Sequence, residues 1–173
     1  MRAFTLDSFD TQPAVRADIA EPAVGDRELL VRVHASSVNP VDVFIAGGAL
    51  KEMAEHEFPV ILGRDYAGVV DRIGSGVGRY RVGEEVFGFL LHANPVVHDG
   101  SWAELIAVPE DNFVAAKPRS LDFAEAGAAA VGNLGCRRLR RTGARGRRDG
   151  PRRRLPGEWA ASSCSSPPPQ ART

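Results

Sequence analysis

Four histidines, a run of glycines and a block of arginines are the residues here whose types and spacing could do chemistry. Imidazoles bind metals or move protons. His92 and His98 flank "ANPVV", with Asp99 beside the second. No cysteine stands near them, so the pair falls short of the ligand set that zinc takes. His34 alternates onto the polar side of an apolar run, and His56 sits in the polar stretch "EMAEHEF". Both read as solvated residues, and no metal site is expected. Gly74, Gly76, Gly78, Gly83 and Gly88 invite a phosphate-cradling role. Yet "GSGVGRYRVG" lacks the Lys-Ser/Thr of a triphosphate loop, and no helical pattern follows it. Turn glycines are the expectation.

The arginines raise a different question. The net charge of zero hides two segments of opposite sign. Residues 1–131 carry eleven Lys/Arg against twenty Asp/Glu, and residues 132–173 carry eleven Arg against two acids. A basic arm of this kind seeks phosphates, and its binding is steeply salt-dependent. The segment has no lysine, one aromatic residue (Trp159) and no pattern for a groove-reading helix. No specific nucleic-acid partner is therefore expected. No apolar run reaches membrane-spanning length, and "MRAFTLDSFD" lacks the apolar stretch of a secretory signal, which makes a cytoplasmic setting the expectation.

Residues 1–131 supply the elements that must position any site. "MRAFTLDSF" reads as a first strand, with "AVRADIAEP" pairing back across "DTQP". "ELLVRVHASSV" is the clearest strand. Leu29, Val31, Val33 and Ala35 share one face, Leu30, Arg32 and His34 the other, and the polar breaks suit a half-buried antiparallel strand. "NPVDVFIAGGAL" predicts a short helix from Pro40 to the Gly47-Gly48 pair. "FPVILGRDYAGVVDRIG" reads as two strand pieces around "GRD". "GSGVGRYRVGEEVFGFL" reads as a turn and a strand, and "GSWAELIAVPEDNFVAAKP" as two short strands with Pro109 between them. In "SLDFAEAGAAAV", Ser120 is placed to cap a helix. Many short strands, Gly/Pro turns and little helix indicate a small barrel or sandwich.

Four stretches, in this order, carry a resemblance: "ELLVRVHASSVNPVDVFIAGG", "FPVILGRDYAGVVDRIGSGV", "YRVGEEVFGF" and "GSWAELIAVPEDNFVAAKP". With them, residues 1–131 resemble the N-terminal, GroES-like catalytic domain of the medium-chain dehydrogenase/reductase superfamily. The branch is that of the zinc-independent quinone oxidoreductases. The resemblance implies a mostly β (α+β) fold, a partly open β-barrel with few short helices. It also implies NADPH-dependent reduction of a quinone or enone by hydride transfer. Zinc-dependent relatives place a cysteine where this chain has Asn39, and a His-Glu pair where it has Arg64-Asp65. By resemblance Asn39 and Asp42 are the catalytic candidates, and Asn39 and Arg64 the cofactor-binding ones. Helix capping is the plain alternative for Asn39 and Asp42, and pairing with Asp65 for Arg64. Tyr66, Phe44 and Trp102 read as core packing rather than as a quinone pocket. Family members are often homodimers.

After residue 131 the resemblance implies a Rossmann domain, and residues 132–173 do not encode its strand, glycine turn and helix. The genetic code suggests why. One shifted register permits Gly-Glu-Thr-Val-Leu-Val from Arg147 onward. The other permits Val-Gly-Ser-Ile-Val-Val-Gln-Leu from Glu158 onward. Those strings follow the order of a Rossmann strand and its glycine turn. The expectation is an out-of-frame, unpacked tail on a chain of little or no turnover. The alternative is a non-catalytic GroES-like module whose Arg-rich tail binds nucleic acid or other polyanions.

Overall fold

The computed structural model describes residues 1–90 and 96–130. These lie in the first of two units, Met1–Gly143; the second, Ala144–Thr173, falls outside the described residues, as do His92 and the expectations placed on the tail.

Ten strands and two short helices are described. They run β1 (Ala3–Leu6), β2 (Ala14–Arg16), β3 (Glu28–Ala35), α1 (Pro40–Ala46), β4 (Glu55–His56) and β5 (Val60–Ile61). Then follow β6 (Asp65–Ile73), β7 (Glu85–Phe89), β8 (Val96–Val97), β9 (Leu105–Pro109), β10 (Val114–Ala116) and α2 (Phe123–Ala128). The main sheet has the order β10-β7-β6-β3-β9 and is antiparallel throughout. A smaller sheet, β2-β1-β5, is also antiparallel. The two-residue strands β4 and β8 pair in parallel, a ladder with no signal in the sequence. The sheets are open, and no closed barrel forms among the described residues.

A seam joins the two larger sheets. Ala3 bridges Ala103, the Phe4 amide donates to the Trp102 carbonyl, and the Trp102 amide to that of Leu62. The main core packs Leu29, Val31, Tyr66, Val70, Val86, Ile106 and Val108 between the faces of the large sheet. Each such side chain contributes about 1.5–3 kcal/mol by leaving water.

Strand β3 departs from simple alternation. Leu30, on the face assigned as polar, is as fully buried as Leu29 and Val31. The strand is thus covered on both sides at its start. Register shifts follow at Leu30/Val31 and Val33/Ala35. Pro109 closes edge strand β9 instead of separating two strands, where its missing N–H costs no ladder bond. The α2 cap is Asp122, not Ser120: the Glu125 amide donates to Asp122 Oδ1 at 2.7 Å and the Asp122 amide to Glu125 Oε2 at 2.9 Å. Asp three residues before Glu makes the reciprocal pair that Ser120 lacks. Helix α2 packs on β6 and β3, with Ala126 buried beside Ala67 and Phe87.

The glycine-rich turn has its own anion. Glu110, 2% exposed, accepts from the amides of Gly78 and Arg79 at 3.1 and 3.0 Å and from Arg27 Nη2 at 2.8 Å. Gly74, Gly76, Gly78 and Gly83 lie in the connection from β6 to β7, as expected, but Gly88 is inside β7, paired with Tyr66 and Val114; two turn amides are spent on a carboxylate of the chain itself. The donors, the Arg79 amide first, hold the Glu110 carboxyl below its ordinary value. A depressed carboxyl stabilises the fold above the unfolded value and loses that contribution as pH falls through the folded one. Urea denaturation as a function of pH should therefore show wild type more stable than Glu110→Gln above about pH 4.5. The difference should shrink as pH is lowered further.

Candidate functional site

The turn from β3 into α1 faces the head of β6, and the sequence candidates meet there. Asp65 opens β6 and is 1% exposed. A carboxylate so placed requires donors. Ser37 Oγ donates to its Oδ2 at 2.6 Å, and Asn39 Nδ2 donates to the same oxygen at 3.0 Å. Asn39 Nδ2 also donates to Ser37 Oγ at 3.2 Å. Beside them, Ser36 Oγ donates to the Asp65 carbonyl at 2.6 Å and lies 3.1 Å from Ser101 Oγ. The sequence reading did not single out the three serines. Their signal was two adjacent hydroxyls just ahead of a helix cap.

Asn39 is the α1 cap residue, with extended backbone and Pro40 at the first helical position. Its backbone N–H donates to Asp42 Oδ2 at 2.6 Å, the return half of a capping box. Capping therefore accounts for one oxygen of Asp42. It does not account for the Asn39 amide, whose two N–H groups point to Ser37 and Asp65. The forward half of the box sets the Asp42 backbone N–H against the Asn39 side chain, so the Asn39 carbonyl oxygen faces the cap.

Asp42 is 1% exposed, and its Oδ1 is buried without a partner. Burial pushes this carboxyl up, against the opposing pull of the Asn39 amide and of Arg64. Arg64 is 5% exposed. Its Nη1 donates to the Asp99 carbonyl at 2.6 Å, while Nε and Nη2 are buried without partners. Burial lowers the Arg64 pKa, against the charges of Asp42 and Asp99. Arg64 does not pair with Asp65. Its own carbonyl accepts from the Leu90 amide at 2.7 Å, so this one residue holds both flanks of the segment between Leu90 and Asp99.

Trp102 closes one side. Its Nε1 donates to the Ser37 carbonyl at 3.3 Å, and its ring tilts against Phe4 at 5.7 Å. Gly63 makes room for it: φ is +90°, and a Cβ there would stand 2.3 Å from Trp102 Cδ1. Tyr66 is core, with a buried hydroxyl that has no partner. Phe44 is not core, being 52% exposed on α1 with Val43 beside it.

The histidines divide. His34 is exposed, as expected, and stacks on Phe123 at 4.5 Å. His56 is only half-exposed, not fully solvated: it sits edge-on to Phe9 at 5.0 Å with Nε2 buried. His98 pairs with Asp99 at 2.8 Å. Among the described residues no group of three or more His, Cys, Asp or Glu is placed to hold a metal ion. At the positions where zinc-dependent relatives carry ligands stand an amide, a guanidinium and a carboxylate. A guanidinium has no lone pair to give, so this donor set does not fit zinc.

Two substitutions test the cluster. Gly63→Ala should cost about 2–4 kcal/mol in urea denaturation, from left-handed backbone strain and overpacking against Trp102. Asn39→Asp sets a second carboxylate against Asp65. It should cost a similar amount near neutral pH, about 2–4 kcal/mol, and the deficit should narrow on acidification as the added carboxyl protonates.

Residues 25–119 match the family model described as the alcohol dehydrogenase GroES-like domain. The chain is 35% identical over 124 residues to a chloroplastic quinone-oxidoreductase homolog of Spinacia oleracea, covering 72% of this chain and 36% of that protein. It is 33% identical over 114 residues to the chloroplastic NADPH-dependent alkenal/one oxidoreductase of Arabidopsis thaliana, covering 65% and 29%. The quinone oxidoreductase structure from Coxiella burnetii superposes with a TM-score of 0.68 at 26% identity, over 82% of this chain and 44% of that one. The chain thus spans less than half the length of each of these relatives. The fold, the motif order and the family match together show that the chain belongs to the alcohol dehydrogenase GroES-like domain family; quinone oxidoreductases are among the proteins to which it is similar.

Proposed function

We propose that residues 1–131 are the substrate-side domain of a zinc-independent, NADPH-dependent reductase of quinones or enones in the cytoplasm. The observation that carries this reading is the Ser37–Asn39–Asp65 network. By the sequence resemblance, its amide and carboxylate stand in the motifs where zinc-dependent relatives carry ligands. It fixes Asn39 rigidly at the start of α1.

The open valences suit a nicotinamide cofactor. Its oxygens are acceptors for the two unpartnered nitrogens of Arg64. When bound, such a cofactor supplies a hydride. The protein's work is orientation. Asp42 holds the Asn39 backbone, Ser37 and Asp65 hold its amide, and Trp102 and the exposed Phe44 offer apolar surface to a flat substrate.

Residues 132–173 carry no glycine fingerprint for the pyrophosphate. We take them to be an out-of-frame continuation and expect little turnover from the chain as it stands. Sequencing the gene across codons 130–160 tests this: an error-free frame encoding the basic tail would refute it. The domain itself is tested by a chimera. Residues 1–130 joined to the unmatched part of the Arabidopsis thaliana oxidoreductase should reduce a quinone or an enone with NADPH. Asn39→Ala in that chimera should lower kcat/KM about tenfold or more, the worth of a positioned polar contact. A folded chimera that binds NADPH but reduces neither acceptor would overturn the reading.

A further inference from the structure

The turn that carries Asn39 is held by polar bonds. Its one large apolar residue, Val38, is 71% exposed, so packing contributes little there. The Ser37 hydroxyl donates to Asp65 Oδ2 at 2.6 Å and accepts from Asn39 Nδ2 at 3.2 Å. The carbonyl of the same residue accepts from Trp102 Nε1 at 3.3 Å. Ser36 Oγ lies 3.4 Å from that carbonyl, but its proton is committed to the Asp65 carbonyl at 2.6 Å. The indole N–H is thus the donor that fixes the Ser37–Val38 peptide. A peptide is a rigid plane. If it were free to turn about its flanking bonds, it would carry Asn39 away from Ser37 and Asp65.

Trp102 is itself fixed on its other sides. Its amide donates to the Leu62 carbonyl at 2.9 Å, its carbonyl accepts from the Phe4 amide at 2.8 Å, and the ring fills the notch left by Gly63. Packing does not explain the indole. The ring is only half-buried and borders an open cavity of about 390 Å³, together with Phe4, Val15 and Val33. Contact with Phe4 accounts for an aromatic side chain here, but not for one that carries a donor.

We propose that Trp102 is a positioning residue: its indole N–H, acting through Ser37, sets the side chain of Asn39. The inference rests on the reductase reading for the use made of Asn39, and it names the strut behind that residue. The strut runs from the seam between the two larger sheets, where the Trp102 backbone is tied, to the start of α1.

The test removes the donor and keeps the shape. The chain has two tryptophans, Trp102 and Trp159. In the full-length Trp159→Phe chain, Trp102 is replaced biosynthetically by β-(3-benzothienyl)alanine, an isostere without the N–H. The two Asn39 Nδ2 proton cross-peaks are assigned in a ¹⁵N-correlated NMR spectrum by their loss in Asn39→Ala. Their exchange with water should quicken about tenfold, the worth of one hydrogen bond. The backbone amides of Phe4 and Trp102, which tie the same segment to its neighbours, should keep their rates. Replacement by 7-azatryptophan, which retains the N–H, should restore slow exchange at Asn39. Trp102→Phe supplies a second chain without the donor and should show the same selective change. Asn39 protons that exchange as slowly in both donor-free chains as beside the indole would overturn the proposal. Equal acceleration at Asn39, Phe4 and Trp102 would reduce the side chain to packing and would also overturn it. None of these rates depends on turnover. An active chimera with an Asn39 indifferent to the indole N–H sinks the strut and leaves the reductase, while a responsive Asn39 with an inactive chimera does the reverse.

Discussion

A carboxylate buried at the head of a central strand dictates the local architecture. Asp65 has 1% of its surface in water, and an ion so placed must be surrounded by donors or neutralised. The donors come from Ser37 and Asn39, residues far away in sequence. Satisfying Asp65 therefore fixes the connection between β3 and α1 against β6. Once that turn is fixed, Pro40 and the Asp42 cap set the direction of α1, and the helix carries Phe44 into solvent. Ser36 binds the Asp65 carbonyl and approaches Ser101, which brings the β8–β9 connection to the same point. Trp102 then lies over the turn through Gly63. One desolvated charge thus organises four pieces of chain.

Much of this was legible in the residues. The strand at 28–35, the helix starting at Pro40 and the strand pieces around "GRD" follow from alternation, proline and glycine. What failed did so for local physical reasons. Leu30 was assigned to a polar face because Arg32 and His34 share it. Burial there depends on what lies above the strand, which alternation alone does not reveal. Ser120 and Asp122 are both good cap residues, and only the partner three positions on, Glu125, selects the second. His56 looked solvated because its sequence neighbours are acids. Its environment is set instead by Phe9, which approaches from the connection between β1 and β2.

The site shows the same division. That Asn39, Asp42 and Arg64 converge was readable from motif order. Which of their atoms remain available was not. The sequence left Asn39 open to donating to a ligand oxygen, but both N–H groups are spent within the cluster. For Arg64 the plain alternative was a pair with its neighbour Asp65. On an extended strand, successive side chains leave on opposite faces, and Arg64 instead reaches the Asp99 carbonyl.

The double grip of Arg64 on Leu90 and Asp99 has a corollary for chain length. A peptide excursion whose two roots are clamped by one residue can lengthen at little entropic penalty, since closure costs grow only logarithmically with contour. Residues inserted or removed between these roots should therefore leave the geometry of the polar cluster intact.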